Sequence, residues 1–284
     1  MMSDSGYRRK RTRPIIVLLS DFGAGSFYVG AMKAAVLSVD PNATLVDLTH
    51  DIRPYRVDEA GFVLARVFDL FAPGSVFVAV VDPGVGGKRR NLVFKSAGRY
   101  IVAPDNGLVS EVAVSFGIES VVAVDDETAG RLREHPSVGR TFLGRDVFGP
   151  VAGYLSGGGS MDGLGPKVDD YAVLEIPPVE VDEGRVKGVG RYVDSFGNVV
   201  SNIARHHLER AFVGVALEKI RGTVNNTIEI DGIFEFFSQR EIGRLMLVLD
   251  SWGLVEISVN QGRAIDRFLG DPAVGIELSV IRSR

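Results

Sequence analysis

Residues Ser75 to Val81 read SVFVAVV, a run with no charged side chain. Successive side chains of a strand point to opposite faces, so a run that is apolar throughout needs cover on both of them. A parallel sheet packed between helices meets that requirement. Pro14 to Ser20 (PIIVLLS) and Ala43 to Leu48 (ATLVDL) read as two further strands. Between the three lie Phe27 to Val39, with helical spacing, and Val57 to Phe71 (VDEAGFVLARVFDLF), with an acidic first turn and an apolar stripe. Leu92 to Phe94, Tyr100 to Val102, a short helix from about Val109, and Val121 to Val124 follow. This βαβ order predicts an α/β domain with a mostly parallel sheet and helices on both faces.

The pattern changes after Ser156 to Asp170 (SGGGSMDGLGPKVDD), where five glycines and a proline mark a loop or linker. Beyond it, short runs rich in valine and isoleucine recur at Val186 to Val193, Asn198 to Ile203, Thr227 to Ile230, Leu245 to Leu249 and Val255 to Val259. Turn residues separate them and few helices intervene. They predict a smaller, antiparallel, all-β domain, a sandwich or a barrel. The expected division is a basic disordered tail over 1–14, an α/β domain over 15–170 and a β domain over 171–284, with the boundary near 165 to 182.

Composition narrows the function. The chain has 284 residues, 45% hydrophobic and 24% charged, as an ordinary globular protein does. It has no cysteine, which excludes disulfides, thiolate metal sites and cysteine nucleophiles and fits a reducing cytoplasm. Arg8, Arg9, Lys10, Arg11 and Arg13 against Asp4 give residues 1–14 a net +4, which leaves −8 on the rest of a chain whose net charge is −4. The body would repel phosphates, so nucleic acid is not the expected partner. No apolar run is long enough to span a bilayer, and the N-terminus has no apolar signal core.

Ligand sites on parallel sheets lie at the carboxyl ends of the strands. Here those ends read Ser20-Asp21-Phe22-Gly23-Ala24-Gly25, Asp47-Leu48-Thr49-His50-Asp51 and Asp82-Pro83-Gly84-Val85-Gly86-Gly87, the last followed by Lys88, Arg89 and Arg90. A carboxylate at a strand end can accept hydrogen bonds from ribose hydroxyls, and glycines beside it let the backbone approach a ligand. Singly, each is an ordinary turn, and His50 reads as a hydrogen-bonded structural histidine. Together on one sheet edge they predict a site. Gly23 and Gly25 also begin a dinucleotide fingerprint, but Tyr28 stands where its third glycine belongs. With Asp47 after strand two, the same loop imitates that of a methyltransferase.

Four segments match something more specific: SDFGAGSFYVGAMKAAV, VVDPGVGGKRR, APDNG (Ala103 to Gly107, with Asp105 and Asn106) and TFLGRDVFGP (Thr141 to Pro150). They resemble the S-adenosylmethionine hydroxide adenosyltransferases, relatives of the fluorinase and chlorinase that attack S-adenosylmethionine with halide. Tyr192 to Asn198 resembles that family's IDxFGN segment, and Asp250 to Asn260 its SxGxLxIAxN segment.

The resemblance implies a Rossmann-like N-terminal domain, a barrel-like C-terminal domain and a homotrimer with S-adenosylmethionine or adenosine bound between subunits. It implies no cofactor beyond that substrate. By the same resemblance Asp21 would bind the ribose hydroxyls with Tyr55 packed nearby. Asp194 and Ser251 would hold the methionine amino and carboxylate groups. Asn198 and the backbone from Val259 to Gln261 would line the adenine, with Phe236 as a stacking ring. Halogenases carry tyrosine at the position of Asp82, whereas the water-using branch carries aspartate there, arginine seven residues on, and histidine in TFHGRD. Asp82 and Arg89 match. Leu143, before Gly144, replaces the histidine, and His50 and His135 are the candidates to substitute for it. Ser26 stands where the family often has an acidic residue.

A sulfonium makes methionine a good leaving group, so the ribose C5′ needs only a nucleophile aligned with sulfur. A carboxylate beside a cation can hold a water and take its proton. The expectation is hydrolysis of S-adenosylmethionine to adenosine and methionine. The alternatives are a binding protein with weak or no turnover, motivated by Leu143, and, less favoured, a halogenase or a methyltransferase.

Overall fold

The computed structural model describes residues 14–133, 139, 141–268, 270 and 273–280. The expected basic tail, apart from Pro14, and His135 lie outside the described residues. The chain divides into two compact units between Leu174 and Glu175.

The first unit is built on six strands: β1 (Ile15–Ser20), β2 (Thr44–Thr49), β3 (Val76–Val80), β4 (Asn91–Ser96), β5 (Arg99–Pro104) and β6 (Ser120–Val124). Their order is β2-β1-β3-β5-β4-β6. Pairings β1–β2, β1–β3 and β3–β5 are parallel, and β4 runs antiparallel to both its neighbours, so the sheet is mixed. Among the described residues, five α-helices accompany it: α1 (Phe27–Val39), α2 (Val57–Val67), α3 (Ser110–Phe116), α4 (Asp126–Leu132) and α5 (Gly149–Ser156).

Alternation along β1 shows why both faces are covered. Ile16 and Leu18 pack with Met32 and Val36 of α1 and Val151 and Ala152 of α5. Val17 and Leu19 pack on the other side with Ala60 and Leu64 of α2 and Val112 of α3. The crossover through α1 places β2 on one side of β1, and the crossover through α2 carries β3 to the other. The order therefore reverses at β1, where an open parallel sheet leaves a crevice at its carboxyl edge.

The apolar stripe expected from Val57 to Phe71 is helical to Val67 and tightens to a 3₁₀ turn over Phe68–Leu70. Periodicity gave no signal for α5, whose sequence GPVAGYLS is poor in helix formers. Tertiary contact explains it. A Cβ on Gly153 would lie 2.7 Å from the Val36 carbonyl oxygen and 2.9 Å from Val39 Cβ, and one on Gly149 3.0 Å from the Met32 carbonyl oxygen. The glycines weaken the isolated helix and let it lie directly on α1.

The second unit holds β7 (Glu180–Asp182), β8 (Arg185–Val193), β9 (Val199–Ala204), α6 (Arg205–Ala211), β10 (Ile220–Val224), β11 (Ile228–Asp231), β12 (Ile233–Phe234), β13 (Leu245–Leu249), β14 (Leu254–Val259) and β15 (Gly275–Val280). The strand order is β11-β10-β15-β8-β9-β14-β13-β12, with β7 on β8. The two edge strands, β11 and β12, are separated in sequence only by Gly232, so the sheet must curl into a nearly closed barrel. Val186, Val199, Ile220, Leu247, Val255, Ile257 and Leu278 fill its interior. Two details correct the expectation of an antiparallel, all-β unit. β12 pairs β13 in parallel, because the chain passes from one sheet edge to the other at Gly232, and the unit includes the helix α6.

Two glycine substitutions test the α1–α5 contact. Gly153→Ala lowers the thermal midpoint by an amount equivalent to about 1–3 kcal/mol, as overpacking does, despite alanine's better helix propensity. Gly30→Ala, where nothing lies within 4 Å of the added Cβ, raises it by about 0.5–1 kcal/mol.

Candidate active site

Parallel register brings the acidic strand ends together. Leu19 pairs with Thr49 and Ser20 with Val80, so Asp21, His50 and Asp82 follow on adjacent strands at one edge. Alternation then sorts them. Val76, Val78 and Val80 face the α1–α5 side, and Asp82 continues that phase.

Asp82 meets Arg89 in a two-pronged ion pair. Arg89 Nε donates to Asp82 Oδ1 at 2.7 Å and Nη2 donates to Oδ2. The two side chains are only 6% and 10% exposed. Arg89 Nη1 donates to Asn91 Oδ1 at 2.7 Å and to the Arg90 carbonyl at 3.1 Å, and its guanidinium lies 5.7 Å from the Phe148 ring centroid. The fork uses one lone-pair site on each carboxylate oxygen, of the roughly four that a carboxylate has.

Asp21 lies on the opposite phase. Its Oδ2 accepts the Tyr55 backbone N–H at 2.9 Å, which brings the two expected ribose residues together. Tyr55 is 71% exposed and holds φ +69°, a left-handed conformation that costs a non-glycine residue free energy.

His50 is not placed as a base. Ser20 Oγ accepts the Phe22 N–H at 3.3 Å and lies 2.7 Å from His50 Nδ1, while His50 Nε2 lies 3.2 Å from Asp47 Oδ1. A consistent pattern has the serine donating to Nδ1 and Nε2–H donating to Asp47. Asp47 also receives Lys33 at 2.6 Å. Burial pushes the Asp47 carboxyl up, but hydrogen bonds and charge from Lys33 and His50 outweigh it, so it lies below the usual carboxylate value. The serine is fully buried and the ring sits at 4% exposure, so the row resembles a Ser-His-Asp triad yet acts as a fastener between β1 and β2. Gly23 N–H to the His50 carbonyl (2.7 Å) and Ala24 N–H to Asp51 Oδ1 (2.9 Å) extend it.

Leu143 opens the segment that replaces the family's histidine motif. From Gly144 to Phe148 the chain makes a π-helical turn, with Gly149 N–H bonded to the Gly144 carbonyl five residues back. Phe142, before it, packs edge-on against Phe22 (5.7 Å) and Tyr28 (4.8 Å), and Phe148, at its end, faces Arg89. Leu143 itself packs against the core of this face. A Cβ on Gly144 would meet the Phe142 and Phe22 rings at 3.1 and 3.3 Å, so a side chain there requires the rings to shift by a few tenths of an ångström.

Asp105 and Asn106 follow β5, beside the end of β3. Asn106 Nδ2 donates to the Val81 carbonyl at 2.8 Å. Asp105 receives Arg90 Nε at 2.8 Å.

In the second unit, Asp194 forms its own turn. Its Oδ1 accepts the N–H groups of Phe196 and Asn198, at 2.9 and 2.8 Å, and its Oδ2 accepts Asn198 Nδ2 at 2.9 Å. The Gly197 carbonyl accepts the Ile265 N–H at 2.9 Å, which sets this turn against the one through Val259 and Gln261. Asn260, expected only through its backbone, ties that turn to the Phe236 segment by its side chain, Nδ2 to the Arg240 carbonyl at 2.7 Å. Phe236 is 63% exposed. Asp194, Asn198, Val259, Gln261 and Phe236 thus gather at one end of the β9–β14 ladder. Ser251 lies at the other end, where Leu254 pairs with Ala204, while Ile257 pairs with Val199. Five residues along β9 separate the ends by roughly 16 Å. Asp250 builds a matching turn there, Oδ1 accepting Trp252 and Leu254 N–H at 2.8 Å each.

Glu256, midway on β14 on the face opposite the barrel interior, had no sequence signal beyond being a carboxylate in an apolar strand. Burial pushes its carboxyl up to about 7, against the pull of a hydrogen bond from Ser258 Oγ and with added push from Asp250 and Asp194. Among the described residues, no group of three His, Cys, Asp or Glu side chains is placed to hold a metal, and no helix is long and apolar enough to cross a membrane.

Comparison with known proteins agrees with the motifs. Residues 16–165 match the family described as SAM hydroxide adenosyltransferase N-terminal domain, and residues 191–272 match its C-terminal domain. The chain is 31% identical to an (R)-S-adenosyl-L-methionine hydrolase from Methanocaldococcus jannaschii, over 89% of this chain and 90% of that one. It is 27% identical to a fluorinase from Actinopolyspora mzabensis, over 91% and 93%. A solved structure of an uncharacterized conserved protein from Thermotoga maritima is similar with a TM-score of 0.84 and 33% identity, covering 93% of this chain and all of that one.

Glu256 generates a pH prediction. Its folded value lies above its ordinary 4.5, so the stability it contributes is whole below pH 4.5 and is lost as pH rises towards 7. Glu256→Gln flattens that decline, a difference on the order of 3 kcal/mol between pH 4.5 and 8, read from urea midpoints. Equal pH slopes for variant and wild type would contradict the assignment.

Proposed function

We propose, for a chain that belongs to the SAM hydroxide adenosyltransferase family, that it cleaves S-adenosylmethionine with water at the ribose C5′. The observation that carries the reading is the buried Asp82–Arg89 fork. A water held on the free lone pair of Asp82 attacks C5′ as the C5′–S bond breaks. The sulfur takes the bonding pair and leaves as the neutral thioether of methionine, and the water's proton passes to Asp82. Arg89 holds the carboxylate in one orientation and balances its charge while no proton is bound. A halide in the same place would be repelled by Asp82, which favours water over the fluorinase-like reaction.

In this reading Asp21 receives the ribose hydroxyls, with Tyr55 beside them. Asn198 and the Val259–Gln261 backbone take the adenine, with Phe236 stacked on it. Ser251 takes the methionine carboxylate; Asp194, roughly 16 Å away at the adenine end, holds the turn that carries Asn198 and not the amino group borne by the same carbon. The roughly 16 Å between the two ends of the β9–β14 ladder suits a substrate lying extended along it. The active form is a homotrimer in which a neighbouring copy completes the site, a part of the proposal that light scattering on the purified protein tests directly.

Purified protein is incubated with each sulfonium epimer of S-adenosylmethionine in oxygen-18 water; both are offered because the relative from Methanocaldococcus jannaschii is named for the (R) form. The expected products are methionine and adenosine labelled at its 5′-hydroxyl. Asp82→Asn lowers kcat roughly 10²- to 10⁴-fold. S-adenosylhomocysteine as product would replace the proposal with a methyltransferase, and the absence of any product would end it.

One observation favours a second reading, a binding protein of slow turnover. Leu143 packs against the core where the water-using branch keeps a histidine, and His50 is committed to Ser20 and Asp47. That reading predicts tight calorimetric binding with few turnovers per hour and a rise of about tenfold or more in Leu143→His. No change in that variant would remove the reason for it.

A further inference from the structure

We infer that Asp105 and Asn106 are positioning residues for the Asp82–Arg89 pair, Asn106 acting on the backbone of Asp82 and Asp105 on the backbone that orients Arg89. The inference rests on the reading of that pair as the reacting one.

β3 ends at Val80, and its register with β5 stops at Val78–Val102. The Val81 carbonyl lies beyond both, in the peptide plane that also carries the Asp82 N–H. Asn106 Nδ2 donates to it at 2.8 Å, while its Oδ1 accepts the Leu108 N–H at 3.2 Å. Both ends of the amide are used, so the side chain cannot turn without losing a bond, and the peptide plane that leads into Asp82 is held by a group of fixed polarity.

Asp105 works on the other partner. The Arg90 carbonyl accepts from two directions, Arg89 Nη1 at 3.1 Å and the Asp105 N–H at 3.0 Å. The Asp105 carboxylate, 10% exposed, receives Arg90 Nε at 2.8 Å on one oxygen and the Ala172 N–H at 2.7 Å on the other. Arg90 reaches on to Asp170, donating to its carboxylate and its carbonyl at 2.9 Å each. Asp105 thus grips Arg90 by main chain and side chain at once, and the carbonyl so fixed is one that sets the rotation of the Arg89 guanidinium. The same carboxylate holds Ala172, and Arg90 holds Asp170, so the pair pins this segment from both sides. Neither residue reaches the reacting atoms in this arrangement; each acts through one that does.

Two conservative changes isolate these bonds. Asn106→Asp keeps the acceptor for Leu108 and removes the donor to Val81. Asp105→Asn keeps an acceptor for Ala172 and turns a donor towards Arg90. Adenosine release gives kcat and KM, and calorimetry gives the substrate Kd. The expected result is a fall in kcat of about tenfold or more in each variant, with KM and Kd within about threefold of wild type. In an Arg89→Lys background, where the fork is already lost, Asp105→Asn costs less than about threefold, because residues acting as a unit are not additive. Ser110→Ala, which loses the bond to the Leu174 N–H on the neighbouring stretch of chain and leaves Asp105 untouched, retains wild-type kcat. Unchanged kcat in both conservative variants, equal losses in both backgrounds, or an equal loss in Ser110→Ala would overturn the inference. Should Asp105→Asn fail to fold, Asn106→Asp decides alone by its kcat and KM. A wild type that releases no adenosine overturns the reading beneath, whereas an active wild type with unaffected variants overturns only this inference.

Discussion

Because β1, β2, β3 and β5 run in one direction, their carboxyl ends share an edge, and His50, Asp21, Asp82 and Asp105 follow one another across it, each about 4.8 Å of strand spacing from the next. Reverse any one of these strands and its acidic end would move to the opposite edge. The apolar runs that force the parallel arrangement are also what make it rigid. Their side chains fill two separate cores, one under α1 and α5 and one under α2 and α3. The period of two then assigns each strand-end residue a face, so that Asp82 falls on the α1–α5 side with Phe148 and Asp21 on the side of Tyr55.

On that edge, hydrogen bonding decides which polar groups are open to chemistry. Ser20, His50, Asp47 and Lys33 form a closed row. A buried serine with a histidine and an aspartate invites a nucleophilic reading, but the serine has no exposed surface and the ring has a partner at each nitrogen. Asp82 differs because Arg89 grips it in a fork that uses one acceptor site on each oxygen.

The second unit repeats one device. Asp194-Ser-Phe-Gly-Asn and Asp250-Ser-Trp-Gly-Leu are the same five-residue turn, an aspartate accepting two backbone N–H groups ahead of a glycine in the left-handed region, φ +85° and +71°. They cap opposite ends of one strand pair and raise an exposed aromatic, Phe196 and Trp252, at each. Glu256 lies between them on β14, and both aspartates help keep its carboxyl high.

Much of this was legible in the residues themselves. Strands β1 to β3, helices α1 and α2, the change of pattern near residue 170, and the pairing of Asp82 with Arg89 all rest on local signals: apolar period, turn chemistry, and a motif carried in one short loop. The sequence also carried the family, because its motifs are spread along both units. Tertiary structure alone decided the rest. Whether His50 is a base or a fastener depends on Ser20, thirty positions away. Whether GPVAGYLS is a helix depends on the bare glycines lying against α1. Whether Asp194 and Ser251 are neighbours depends on the antiparallel register of β9 and β14, which sets them at opposite ends. In each case the deciding free energy comes from a partner distant in sequence, and local pattern carries no record of which partner the fold will supply.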